Sequence, residues 1–144
     1  MKQLFLTLLI IPGTGIGEFN RTPFYKDKPV EIRAGQWPIM LQRNIEQSDT
    51  TYSLQFRDEQ VPRSLVMDTL PFPDLSQLKY FEKALTTLKA GNNGDIARFK
   101  NYSITRADKK YEGTFYILRF NWSLTNFKQS ETDAMINTIR GLKF

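Results

Sequence analysis

The sequence predicts an α+β fold in which two β-sheet-plus-helix repeats, each with antiparallel strands followed by one helix, pack as an intramolecular pseudo-dimer. Strand-like alternation of apolar and polar residues occurs twice, and each time an apolar stripe at helical spacing follows it. A segment rich in glycine and asparagine at 90–94 separates the two copies. With 144 residues, of which 40% are hydrophobic, the chain is long enough for one ordinary core and too short for a large multidomain protein.

Residues 1–29 are interpreted as an apolar segment and connector that precede the repeats. Residues 1–12 have the outline of a secretory signal peptide, and they also fit a buried strand. A single lysine before the apolar run and the lack of a small-x-small cleavage site favour the strand. We therefore expect a cytoplasmic protein, with a secreted or periplasmic one as the alternative if residues 1–17 act as a signal peptide. The glycines at 13–17 predict a flexible connector, because Glu18 stands where a dinucleotide-binding loop needs glycine.

The first repeat is predicted over 30–91. Two strands at 39–44 and 52–56 flank a polar hairpin tip, and a third strand is predicted at 63–68. Prolines follow that strand and end it, and Asp74 then supplies an N-cap. The helix after it has one apolar stripe, formed by Leu75, Leu78, Phe81, Leu85 and Leu88.

The second repeat is predicted over 95–144. Strands at 102–107 and 116–120 flank a polar tip in which Gly113 supplies a positive φ. Acidic residues within 130–133 predict a helix start, because carboxylates stabilise the positive end of a helix. The apolar stripe of this helix consists of Met135, Ile136, Ile139 and Leu142.

The two copies align through their hairpins. Leu41 aligns with Ile104, and Arg43 aligns with Arg106. The second strand of each hairpin has the pattern Tyr-x-Leu-x-Phe, at 52–56 and again at 116–120. By alternation, one face of the later strand is expected to be core, and it comprises Tyr116, Leu118, Phe120 and Trp122.

Composition excludes several chemistries. The chain has neither cysteine nor histidine, so disulfides, thiolate nucleophiles, imidazole bases and Cys/His zinc sites are excluded. Carboxylate pairs occur at 58–59 and at Glu131 and Asp133, where solvation and the helix dipole explain them without catalysis. We therefore expect a non-enzymatic protein without cofactor or metal. The net charge of +5 favours an anionic partner.

Residues 39–142 resemble a superfamily of single-stranded-nucleic-acid-binding proteins that contains the transcriptional coactivator positive cofactor four, the plant Whirly proteins and the Pur-alpha repeats. The resemblance lies in a few strands followed by a helix, with the whole unit present twice. It is closest in residues 52–85, where YSLQFRDE, a short loop, RSLVM and then LSQLK are similar to the coactivator's strand, basic loop, strand and helix. Residues 114–139 repeat this outline with a shorter loop.

This resemblance implies that single-stranded DNA or RNA lies on an outer sheet face, with bases stacked on aromatic rings and phosphates bound by Lys and Arg. Residues 98–128 hold seven basic and two acidic side chains, whereas 31–63 hold four basic and five acidic ones. The basic charge is therefore concentrated in the second repeat. The candidate nucleic-acid-binding residues are Arg43, Arg57, Arg106, Lys109, Lys110, Tyr111 and Arg119.

Two alternatives remain at the level of sequence. The basic and aromatic positions also fit an ordinary solvated sheet face. If residues 1–17 act as a signal peptide, the chain is instead an exported or envelope-associated binding or structural module. Homo-oligomer formation is possible in either case, and a membrane partner is not expected.

Overall fold

The computed structural model describes residues 28–61 and 67–142. The signal-peptide interpretation and the glycine-rich connector lie outside the described residues, as does most of the strand predicted at 63–68. The elements in chain order are β1 (Val30–Arg33), β2 (Ile39–Glu46), β3 (Asp49–Arg57), β4 (Met67–Phe72), α1 (Leu75–Lys89), β5 (Ile96–Arg98), β6 (Tyr102–Lys109), β7 (Gly113–Phe120), β8 (Ser123–Lys128) and α2 (Gln129–Arg140).

The strands form two four-stranded antiparallel sheets, with orders β1-β2-β3-β4 and β5-β6-β7-β8, and one helix follows each sheet. The predicted fold class is confirmed. The strand register also agrees with the sequence alignment of the hairpins. Leu41 pairs with Leu54 just as Ile104 pairs with Leu118, and Arg43 faces Tyr52 just as Arg106 faces Tyr116.

One face of each sheet is buried, as the alternation predicts. Both inner faces and both helices contribute to one hydrophobic core, so the two repeats share their interior. The largest fully buried side chains come from both halves, and they include Phe56, Phe72, Phe81, Tyr116 and Phe127. Because the inner faces bury the apolar residues, the opposite faces of both sheets point away from the helices.

The ends of the elements follow from local chemistry. The carboxylate of Asp74 accepts a hydrogen bond from the backbone N–H of Gln77 at 2.9 Å, which confirms the predicted N-cap of α1. Strand β4 continues through Pro71 to Phe72, beyond the predicted stop. Pro71 fits there because β4 lies at the edge of its sheet, where one row of backbone groups needs no strand partner.

The expectation that Trp122 lies in the core is wrong. Its side chain is 92% exposed, whereas Tyr116 and Leu118 are buried. Strand β7 ends at Phe120, and Asn121 adopts a φ of 54°, so the chain turns before Trp122 and the alternation stops.

Aromatic rings join the two repeats within the core. Tyr102 of β6 contacts Phe72 at the end of β4 and Phe81 in α1, with ring centroids 6.3 and 6.0 Å apart. These edge and tilted geometries are favourable for aromatic pairs. The second sheet is thus fixed against the first helix.

A second connection between the repeats is the guanidinium of Arg33 at the end of β1. It donates two hydrogen bonds to the carboxylate of Glu131 in α2, at 2.6 and 2.7 Å, and further ones to the carbonyls of Asn126 and Trp37. Burial disfavours the charge of Glu131. The hydrogen bonds and charge of Arg33, together with the backbone N–H of Lys128, outweigh burial and lower the pKa of Glu131.

Truncation of the helix stripes tests the shared core. We expect Leu78→Ala or Ile139→Ala to reduce the free energy of unfolding by about 2–5 kcal/mol, because each removes a fully buried side chain and leaves a cavity. Urea denaturation measures the change. Lys83→Ala, at an exposed position of α1, is the control and should cost less than about 0.5 kcal/mol. Equal effects of all three substitutions would contradict the assigned helix faces.

The link between Arg33 and Glu131 predicts a pH dependence. Glu131→Gln should lower the free energy of unfolding at pH 7 by about 1–3 kcal/mol, since it removes the charge from a bidentate pair whose side chains are largely buried. The pKa of Glu131 is lowered by folding, so this contribution is present above the unfolded pKa of about 4.3 and is lost as the pH falls through the folded pKa.

Denaturation of wild type and variant at pH 7 and pH 3 should therefore show a difference that shrinks in acid. Glu112→Gln, in the exposed β6–β7 turn, serves as the control. A difference that is the same at both pH values would show that the charge of Glu131 does not contribute.

Candidate nucleic-acid interface

The outward positions of the second sheet form a basic surface, which we call the basic face. Strand pairing fixes its members, because residues directly opposite one another in an antiparallel sheet share a face. These positions in β5–β8 hold four basic residues and no Asp or Glu. The basic members are Arg98, Lys109, Arg119 and Lys128, and the large apolar members are Ile96, Phe115, Ile117 and Leu124.

The outward positions of the first sheet have the opposite balance. Within β1–β4 they hold three carboxylates and one arginine, which are Glu31, Glu46, Asp49 and Arg57. The centre of this face consists of uncharged side chains such as Gln42 and Gln55. Two sheets with the same strand order therefore present surfaces of different charge.

Aromatic side chains lie beside the cations of the basic face. The ammonium nitrogen of Lys109 lies 4.8 Å from the centre of the Phe115 ring, and that of Lys110 lies 5.2 Å from the Tyr111 ring. Tyr111 is 89% exposed at the β6–β7 turn. The exposed ring of Trp122 extends from the β7–β8 turn at the other end of the sheet.

Four of the residues predicted from sequence lie on this side of the molecule, at its two ends. Arg119 and Lys109 belong to the basic face, and Lys110 and Tyr111 occupy its hairpin tip. Arg119 is exposed, as its alternation with Leu118 predicts. The remaining three predicted residues lie elsewhere.

Arg106 is engaged in the fold. Its guanidinium donates hydrogen bonds to the carbonyls of Leu88, Lys89 and Gly91 at 2.8–3.0 Å, and therefore caps the C-terminus of α1. It also donates to Asp108 at 2.9 Å, and this hydrogen bond is the main cause of the lowered pKa of Asp108. The residue shares the inward side of β6 with Ile104, so the basic face does not include it.

Arg43 and Arg57 belong to the first sheet. Arg43 is half-buried on the inward side of β2, opposite Tyr52. Burial raises the pKa of Tyr52, and this effect outweighs the charge of Arg43, which lowers it. Arg57 lies on the outer face, 4.7 Å from the centre of the Trp37 ring, and donates to the carbonyl of Gln36 at 2.6 Å. Both arginines are therefore separate from the basic face.

The candidate residues predicted from the sequence do not include Arg98, Phe115, Lys128 or Trp122. Alternation contained the signal for Phe115, because it precedes the buried Tyr116 and must point to the opposite side. The positions of Arg98 and Lys128 depend on the pairing of β5 and β8, which alternation alone does not define. The exposure of Trp122 depends on the turn at Asn121.

Within residues 28–61 and 67–142, no group of three or more acidic, cysteine or histidine side chains could hold a metal ion. Over the same ranges, neither helix has the length and apolar character needed to cross a bilayer.

Comparison with protein-family models, with curated proteins and with solved structures found no match to this chain. The geometry of the basic face and its turns is therefore the basis for proposing a function.

Proposed function

We propose that this chain is a non-catalytic protein that binds single-stranded nucleic acid on the basic face of its second sheet. The observation that carries the proposal is the charge of that face, with four basic residues and no carboxylate at the outward positions of β5–β8. Lys and Arg that meet phosphates supply most of the affinity of such sites. Among the described residues, no ion pair engages these four side chains.

The aromatic residues favour single strands over duplex. Phe115 lies within the basic face, and Tyr111 and Trp122 extend from turns at its two ends. Bases can stack on such rings only when they are unpaired. A single strand along β7 would meet a cation near each end, Arg119 at one and Lys109 at the other, because Lys109 pairs with Gly113 of β7. Arg119 and Gly113 lie six residues apart, or about 20 Å at 3.3 Å per residue.

Binding of a labelled oligothymidine, followed by fluorescence anisotropy across a salt series, tests the proposal. We expect affinity in the micromolar range or tighter, and weaker binding to a duplex of equal length. Lys109→Ala/Lys110→Ala should reduce the salt slope by about 0.7 per charge removed, because fewer counterions are released. Tyr111→Ala should weaken binding by about 1–3 kcal/mol and leave the slope nearly unchanged, since stacking involves no counterion.

Arg57→Ala is the matched control, because it removes a cation from the outer face of the other sheet. It should change the salt slope little, and circular dichroism should confirm that it folds. A slope reduced as much as in the lysine variant would mean that binding is not confined to the basic face. Failure to bind either oligonucleotide at low salt would reject the proposal and leave a binding or structural module with a solvated basic surface.

A further inference from the structure

A polar cleft lies at the end of the basic face, where the β5–β6 turn meets the β7–β8 turn. Its volume is about 380 Å³. Two arginines, one lysine and several neutral hydrogen-bonding groups line it, namely Arg98, Lys100, Asn101, Ser103, Arg119 and Asn121.

The cleft concentrates positive charge. Three of its lining residues are cations and none is a carboxylate. Arg98 and Arg119 lie in one row across the sheet, on either side of Ser103, so their Cα atoms are about 10 Å apart, or two strand spacings. Both side chains are long enough to meet over Ser103, and Lys100 approaches from the turn. No described residue forms an ion pair with any of the three.

A stacked aromatic pair completes the lining. The rings of Phe99 and Tyr102 are stacked, with centroids 4.4 Å apart and an interplanar angle of 12°. Burial raises the pKa of Tyr102, so its hydroxyl stays neutral and adds no negative charge to the cleft. Tyr102 also packs on Phe72 and Phe81, and this packing fixes the cleft to the shared core.

We propose that this cleft binds the terminal phosphate of a single strand whose remaining nucleotides lie on the basic face. This inference rests on the proposed function. A phosphodiester carries one negative charge, whereas a terminal phosphomonoester carries about 1.5 to 2 at neutral pH and offers three acceptor oxygens. Arginine binds such groups in a bidentate manner. Three cations in one cleft match the charge of a terminal phosphate better than that of an internal phosphodiester. The exposed Trp122, beside Asn121, is placed to stack on the terminal base.

The experiment compares oligothymidines that differ only in one terminal phosphate, at the 5′ or the 3′ end, with the fluorescent label at the other end. One of the phosphorylated strands should bind about tenfold more tightly than its hydroxyl-ended counterpart at pH 7.5. The advantage should shrink as the pH falls through about 6, where the phosphomonoester loses its second charge. The titratable lining groups are Arg98, Lys100, Tyr102 and Arg119, and the chain has no histidine, so the phosphate is the group that titrates in this range.

Substitutions locate the effect. Lys100→Ala should weaken binding of the phosphorylated strand about tenfold and that of the hydroxyl-ended strand by a smaller factor. Lys128→Ala removes a cation from the other end of the face, and it should weaken binding of both strands equally. Circular dichroism confirms that each variant folds.

The outcomes separate this inference from the proposed function. Equal affinity for both kinds of strand, or an advantage that survives in Lys100→Ala, overturns the terminal site and leaves single-strand binding intact. Failure of every oligonucleotide to bind overturns both. Displacement of the phosphorylated strand by an equimolar amount of thymidine monophosphate would assign the cleft to free nucleotides and also overturn the proposal.

Discussion

The burial of both sheets against one shared pair of helices is the constraint on which the rest of the structure depends. Helix α1 packs on β3 and β4 of its own repeat and on β5 and β6 of the other, and α2 packs on β7 and β8 and also on β1. Neither repeat therefore completes a core alone. Polar contacts add to this burial. Lys79 of α1 donates hydrogen bonds to the carbonyls of Ile139 and Leu142 at the end of α2, and Arg33 of β1 donates to Glu131 of α2.

The shared interior leaves the two outer faces free to differ. Inward positions must stay apolar in both repeats, and they do so at equivalent pairs such as Leu41 with Leu54 and Ile104 with Leu118. Outward positions carry no such requirement. The first sheet presents three carboxylates, one arginine and otherwise uncharged side chains there, and the second presents four cations and no carboxylate. The repetition of the fold and the division of surface charge are thus compatible. The proposed function depends on the division of surface charge.

Sequence patterns predicted the elements whose signals are local. Alternation identified the hairpins, the stripe spacing identified both helices, and Asp74 marked the start of α1. Properties set by tertiary contacts were not available from patterns. Arg106 looks like a surface cation in the sequence, but the C-terminus of α1 lies beside it and accepts its hydrogen bonds. The short strand β5, which carries Arg98, is defined by its pairing with β6 rather than by its three residues.

The central claim is that nucleic acid binds the second sheet and not the first. Backbone amide chemical shifts recorded during titration with oligothymidine test it most directly, because they report on both sheets in one sample. We expect the largest changes at Arg98, Phe115 and Arg119, and little change at Gln42 or Gln55 of the first sheet. Changes centred on the first sheet, or spread equally over both, would contradict the claim.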